Sequence, residues 1–157
     1  MITAHLPAGY VLSRTLGWRG ALAIAACIGA VFPDIDLFFF YVIDNRAVHH
    51  HRYWVHAPAF ALAVTAIAWG LVRWRAPRHA PLIAAFGAGW ALHILLDYPV
   101  GGIMWLWPMS EQLFTLVTVP ATHSHWLLSF ILHWTFLLEV GVWVLAFAMM
   151  SKATRNG

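Results

Sequence analysis

Most of the ten histidines in this chain lie with aspartates at the same ends of its hydrophobic segments. Imidazole and carboxylate groups are common protein ligands of divalent metals such as zinc, manganese and iron. In a membrane-embedded chain such groups are costly unless something binds them, so they mark a functional site by default. The residues that this pattern groups are His5, Asp34, Asp36, His49, His50, His51, His56, His93, Asp97, His123 and His125. The sequence therefore predicts a metal site where these segment ends meet.

Two short motifs supply the carboxylates. Asp34 and Asp36 follow Pro33 at the end of a hydrophobic segment, and they point the same way if the backbone there is extended. His93 and Asp97 stand four residues apart, so both can reach one site from the same face of a helix. Either pair could instead cap a helix or form a buried hydrogen bond, so neither pair is strong evidence alone.

A third motif, at residues 51–56, places two imidazoles and an arginine just before a helix. His51 and His56 are the predicted metal ligands, and Arg52 could hold an anionic oxygen of a substrate. The alternative is a solvated loop in which Arg52 meets lipid headgroups. We expect His49 and His50 to be bystanders, because three adjacent histidines cannot all face one site.

The remaining polar groups are less informative one by one. His5 begins the first hydrophobic segment, and Gly9, one turn later, permits a close approach between helices. His123 and His125 could add ligands at the start of the last helix or could simply cap it. Glu139 lies inside that helix, near mid-membrane, where an ionised carboxylate is costly, and a structural role is favoured.

Composition defines the environment of these residues. The chain has 157 residues, of which 62% are hydrophobic and 10% charged, whereas a soluble domain of this size needs more charge to cover its surface. The net charge of +3 does not indicate nucleic-acid binding, because the nine Lys and Arg residues form no stripe. We expect a multi-pass membrane protein without a cleavable signal peptide, with the lipid bilayer as its partner.

Helices must therefore position the metal ligands. We predict an all-α membrane bundle of about five hydrophobic helices with the His/Asp site at one face, since a simple span needs ~20 apolar residues. Residues 1–150 would form one domain and residues 151–157 a polar tail. The second helix should stop at Pro33, because proline disfavours helix in the residue before it. The predicted helices cover residues 5–16, 21–32, 57–74, 81–97 and 125–150, with interfacial turns over 37–43 and a long connection over 98–122.

The basic residues predict the orientation. Cytoplasmic loops of membrane proteins collect Lys and Arg. Most basic residues lie at the segment ends opposite the histidines, namely Arg14, Arg19, Arg73, Arg75, Arg78, Lys152 and Arg155. We therefore expect the His/Asp site to face the non-cytoplasmic side of a bacterial inner membrane.

The motifs, taken in order, resemble those of a known family, the LexA-binding, inner-membrane-associated predicted hydrolases, also called membrane-bound metal-dependent hydrolases. That family's pattern is an early His with Gly four residues on, then Pro-Asp-x-Asp, His-Arg-x-x-x-His and His-x-x-x-Asp, followed by a loop bearing Gly and Pro. The matching positions are His5, Gly9, Pro33, Asp34, Asp36, His51, Arg52, His56, His93, Asp97, Gly102 and Pro108. The family is itself distantly similar to zinc-dependent phospholipase C and P1 nuclease, and this likeness implies phosphoester hydrolysis.

Three interpretations of the pattern remain. The first is a hydrolase with ions held by His5, Asp34, Asp36, His51, His56, His93 and Asp97, zinc being the first candidate and manganese or iron the alternatives. In this interpretation metal-activated water attacks an ester or phosphoester, suited by location to a lipid or lipid-linked substrate, with Asp36 or Asp97 as general base and Arg52 stabilising the oxyanion. The second is a non-enzymatic metal-binding protein for structure, sensing or transport. The third is a protein whose His and Asp residues only cap helices.

Overall fold

The structure, a computed structural model, describes residues 3–155 and is all-helical apart from turns, connections and one isolated β-bridge between Ile103 and Phe114. This confirms the predicted fold class. The α-helices are α1 (His5–Thr15), α2 (Ala21–Val31), α3 (Asp36–Phe38), α4 (Pro58–Arg75), α5 (Ala80–Asp97), α6 (Trp126–Ile131) and α7 (Phe136–Arg155). Short 3-10 turns cover Phe32–Ile35, His50–Arg52, Trp54–His56 and Pro77–His79, and a π turn covers Phe39–Ile43.

Three helical stretches in the described part of the chain are long and apolar enough to cross a membrane. They are Ala21–Ile43, Pro77–Asp97 and Phe136–Arg155, with 23, 21 and 20 residues. By contrast, α1 has 11 residues, fewer than the ~20 that a simple span requires. The structure thus agrees with a membrane-embedded bundle in which α1 is sheltered by its neighbours.

The second helix does not stop at Pro33, and this prediction was wrong. The chain passes from α2 through the 3-10 turn at Phe32–Ile35 into α3 and the π turn without leaving helical conformation. Pro33 occupies the first turn of the 3-10 segment, where its fixed φ fits and its missing N–H is tolerated. As a result, Asp34 and Asp36 lie inside one continuous 23-residue helical stretch rather than in a loop.

The predicted last helix is also broken. Residues 132–135 form a turn that separates α6 from α7. In this turn Nδ1 of His133 lies 2.9 Å from the Thr135 hydroxyl, a local side-chain contact of the kind that competes with helical hydrogen bonds. At the other end α7 continues to Arg155, so it includes residues 151–155.

Close packing between α2 and α5 depends on glycines. A Cβ atom on Gly29 would overlap the carbonyl oxygen of Phe86, and one on Gly89 would overlap that of Ala26. Small residues at such positions let helix backbones approach in a membrane, where burial from water does not drive association. A Cβ on Gly9 would likewise lie 2.9 Å from the Ala30 side chain, which confirms the close approach predicted for α1. These contacts hold α1, α2 and α5 together as one unit.

Candidate metal centre

Four imidazole rings converge on the carboxylate of Asp97, at the C-terminal end of α5. Nε2 of His5 lies 3.2 Å from Oδ1 of Asp97. Nε2 of His93, His51 and His56 lies 3.0, 3.5 and 3.6 Å, respectively, from Oδ2 of the same residue. All five residues are buried, with 0–3% of their surface exposed. The structure therefore brings together ligands from α1, α5 and the 50–56 segment.

Two of these rings have their protonation pattern set by the backbone. Nδ1 of His93 donates to the carbonyl of Ala30 at 2.7 Å, and Nδ1 of His51 donates to the carbonyl of Gly101 at 2.6 Å. Because a carbonyl only accepts, the proton of each neutral ring must be on Nδ1, which leaves a lone pair on Nε2. These lone pairs face the oxygens of Asp97, a repulsive arrangement unless a proton or a cation lies between them.

Asp36 forms a second centre beside the first. Oδ2 of Asp36 lies 3.2 Å from Nδ1 of His56 and 3.4 Å from Nδ1 of His50. None of these buried atoms, nor Oδ1 of Asp36, has a hydrogen-bond partner. Buried polar atoms without partners are rare in native structures. A bound cation would satisfy the oxygens and nitrogens together, so the donor set fits a metal.

The donors fall into two groups. Within each group, the ligand atoms lie within 4.8 Å of one another. One group comprises His5, His93 and Asp97, and the other comprises His50, His51 and His56. Each group offers three donors, and Asp34 or Asp36 can add a carboxylate to its side. The arrangement can therefore hold one or two divalent ions.

Asp34 and Asp36 point to different parts of the cluster. Oδ2 of Asp34 lies 3.4 Å from Nδ1 of His5, whereas Asp36 faces His56. They do not point the same way, because the backbone at Asp36 is helical (φ −62°, ψ −27°) rather than extended. The Asp34 side chain is 33% exposed, unlike the buried Asp36 and Asp97, so the cluster reaches the surface of the protein on the Asp34 side.

The carboxylates control the charge of the nearby histidines outside the spanning helices. Burial alone disfavours the charged form of His56, but its contacts with Asp36 and Asp97 outweigh burial and raise its pKa to about 9. Burial also disfavours the charged form of His5, but its contacts with Asp34 and Asp97 outweigh burial and raise the pKa of this ring. At His51 burial dominates over the charge of Asp97, and the pKa falls well below the usual value. His51 is thus neutral and ready to coordinate, whereas His56 carries a proton when no metal is bound.

The structure differs from the sequence-based expectation at His50. This residue was expected to be a bystander. In the 3-10 turn at His50–Arg52, however, the His50 ring points toward Asp36 and the adjacent His51 ring points toward Asp97. His49 is a cap instead, because its Nδ1 accepts from the backbone N–H of His51. No pattern in the sequence distinguishes His49 from His50, since the distinction depends on where the turn begins.

Other candidate residues lie apart from the cluster. Nδ1 of His125 accepts from the backbone of Leu127 and caps α6, and His123 is exposed beside Thr122. Nη1 of Arg52 lies 3.7 Å from Glu111, with both side chains largely exposed. The role of Arg52 toward a substrate stays a prediction.

Comparison with known proteins identifies a family. The family model described as YdjM inner membrane protein matches residues 1–155. No curated protein and no solved structure matches the chain. The family match supports the inner-membrane part of the motif resemblance and carries no information on hydrolysis. The chain belongs to the YdjM inner membrane protein family.

Proposed function

We propose that this protein is a membrane-bound, metal-dependent hydrolase acting on an ester or phosphoester. The observation that carries the proposal is the convergence of imidazole lone pairs on Asp97, beside the buried oxygens of Asp36, which make no hydrogen bond. A protein that needed these residues only for packing would gain nothing from facing acceptors, which destabilise the fold. A divalent cation bound between these atoms would attract the lone pairs and the carboxylate oxygens, which otherwise repel one another.

The chain's own residues have separate roles in this proposal. His5, His93 and Asp97, with Asp34 beside them, would hold one ion, and His50, His51, His56 and Asp36 would hold a second. A divalent ion supplies Lewis acidity, which makes water nucleophilic near neutral pH and polarises the bond to be broken. Asp36 or Asp97 accepts the proton of the attacking water. Substrate enters on the partly exposed side of Asp34.

The membrane location favours a lipid or lipid-linked substrate. Asp97, on which the histidines converge, ends the spanning stretch Pro77–Asp97, and an ester near the headgroup region of a bilayer would be found at such an end. Most of the basic residues lie at the opposite helix ends, and this supports a site that faces the non-cytoplasmic side. Zinc suits the mixed imidazole and carboxylate ligands, and manganese and iron are the alternatives.

A second candidate function is metal binding without catalysis. Its supporting observation is the depth of the cluster, since His56, His93, Asp36 and Asp97 are 0–1% exposed. A structural or sensing site would be closed in this way, whereas a catalytic site keeps one position open. The partial exposure of Asp34 is the reason that we favour catalysis.

The test combines metal content with activity. Detergent-purified wild type, His93→Ala, Asp36→Asn and the control His123→Ala would be analysed by mass spectrometry for bound metal and assayed on chromogenic esters and phosphodiesters. We expect stoichiometric metal in wild type and control, loss of metal in His93→Ala, and loss of hydrolysis in both cluster variants. Metal without hydrolysis on lipid or soluble esters would favour the second function. Wild type that binds no zinc, manganese or iron after reconstitution would overturn both.

A further inference from the structure

We propose that Glu139 in α7 is a positioning residue that sets the location of the metal ligand His5 by holding Thr3. The inference deepens the proposed function and rests on its metal site. It also gives a role to a buried carboxylate in the first turn of the candidate membrane span Phe136–Arg155, near the end of that span rather than at its middle, where an ionisable group still needs a specific reason to exist.

The described contacts of Glu139 include a set with Thr3, 136 positions away in the chain. The backbone N–H of Thr3 lies 3.3 Å from both carboxylate oxygens, and the Thr3 hydroxyl donates to Oε2 at 3.0 Å. One turn further along α7, the indole N–H of Trp143 donates to the Thr3 hydroxyl at 3.1 Å. Glu139 is 1% exposed. Thr3 is thus tied to α7 through both its backbone N–H and its hydroxyl.

The rest of α7 contributes little to burial. Glu139 and Ala146 are its two buried residues, and most of its other side chains are exposed, as expected for contact with lipid, while a few, Trp143 among them, are half-buried. A helix that needed only to pack against α1 could do so with small apolar residues. The polar contact with Thr3 therefore serves a purpose beyond attaching α7.

That purpose follows from the position of the metal ligand His5, two residues after Thr3. His5 is the first residue of α1, and the residue before it, Ala4, provides no side-chain cap for the helix. Thr3 is thus the polar anchor at the start of α1, and Glu139 fixes its position. His5 meets Asp34 at 3.4 Å and Asp97 at 3.2 Å, so a small displacement of this segment would remove one ligand from the cluster.

The experiment measures Co²⁺ binding in detergent through the visible absorption of the bound ion, whose intensity reports the number of ligands. The variants are Glu139→Leu, Glu139→Gln and Thr3→Val, with Thr15→Val as a matched control. Thr15 is an exposed threonine like Thr3, at the other end of α1, and its hydroxyl donates to the carbonyl of Val11 within the helix. We expect Glu139→Leu to weaken Co²⁺ binding by about 10- to 100-fold, as for other groups that orient a metal ligand. Glu139→Gln, which keeps an acceptor, should recover part of the loss, and Thr15→Val should bind as wild type does.

Placing Glu139→Leu in two ligand-deficient backgrounds identifies the route of the effect. Combined with His5→Ala it should cause no further loss, because the ligand that it positions is already missing. Combined with His51→Ala it should cause its full loss. Equal further losses in the two backgrounds would overturn the positioning role. If Glu139→Leu does not fold, Thr3→Val in the same two backgrounds decides the question. Absence of Co²⁺ binding by wild type would overturn the proposed function and this inference together, whereas wild-type binding that is insensitive to Glu139 and Thr3 overturns the inference alone.

Discussion

Nε2 of His56 lies 3.2 Å from Nε2 of His93, and both nitrogens approach Oδ2 of Asp97. Because Nδ1 of His93 donates to the carbonyl of Ala30, the proton between the two rings belongs to His56. In the metal-free protein this proton occupies the place where the proposed ion would bind. Proton and metal therefore compete for the same donors.

This competition predicts a pH dependence of metal binding. The pKa of His56 is raised to about 9, so below that value the ring keeps its proton and a metal must displace it. Affinity should therefore rise with pH by up to about tenfold per unit between pH 6 and 9 and then level off. Calorimetric titration in buffers of different ionisation enthalpy would count the protons released. Metal binding at pH 7.5 without proton release would contradict the assignment.

Gly101 is predicted to be essential for placing His51. A Cβ atom at this position would overlap Cε1 and Nδ1 of the His51 ring, so Gly101→Ala should push the imidazole away from Asp97. We expect metal affinity to fall by about 10- to 100-fold, with little change in thermal unfolding of the metal-free protein. Gly70→Ala is the control, because nothing lies within 4 Å of a Cβ there. Unchanged affinity in Gly101→Ala would show that His51 is not a ligand.

The contact between α2 and α5 is expected to limit stability. Gly29→Ala should overlap the backbone carbonyl of Phe86, which cannot move without separating the two helices, and should destabilise the fold by ~1–3 kcal/mol. Gly141→Ala, in open space on α7, should instead stabilise it by ~0.5–1 kcal/mol. Thermal unfolding in one detergent, followed by circular dichroism, compares the two. Equal melting temperatures would mean that the helices are not packed as described.

Arg52 allows a separation of substrate binding from metal binding. Its guanidinium lies 3.7 Å from Glu111 at the surface, where an ion pair contributes ~1 kcal/mol or less, and stability should hardly change on its removal. If Arg52 holds an anionic oxygen of the substrate, Arg52→Gln lowers hydrolysis while metal content stays at the wild-type level. Glu111→Gln, which removes only the partner, should keep or increase hydrolysis. Equal rates in wild type and Arg52→Gln would exclude the role.

The orientation of the site is testable by labelling. Met109, in the connection after α5, is 90% exposed and follows the end of α5 that carries Asp97. Ser151 lies near the C-terminal end of α7, where the basic residues Lys152 and Arg155 are found. In a Cys27→Ala background, Met109→Cys should react in intact cells with a membrane-impermeant maleimide, whereas Ser151→Cys should react only after lysis. The reverse pattern would place the site in the cytoplasm.

Much of the fold was predictable because local hydropathy decides which segments are helical in a membrane. The α5 helix was predicted to end at Asp97, and the structure confirms that end. The continuation through Pro33 and the break at residues 132–135 were not predictable. The former depends on a 3-10 turn, and the latter on a local contact between His133 and Thr135.

By itself, the sequence determined that polar residues of several segments meet at one end of an apolar bundle, because hydrophobic helices alternate in direction across a membrane. Only the tertiary structure decided which nitrogen each ring presents, since this depends on carbonyls distant in the chain, at Ala30 and Gly101. It also decided that His50 joins Asp36 and that Glu139 reaches Thr3. Contacts across 136 residues arise from helix packing, which no local pattern of residues encodes.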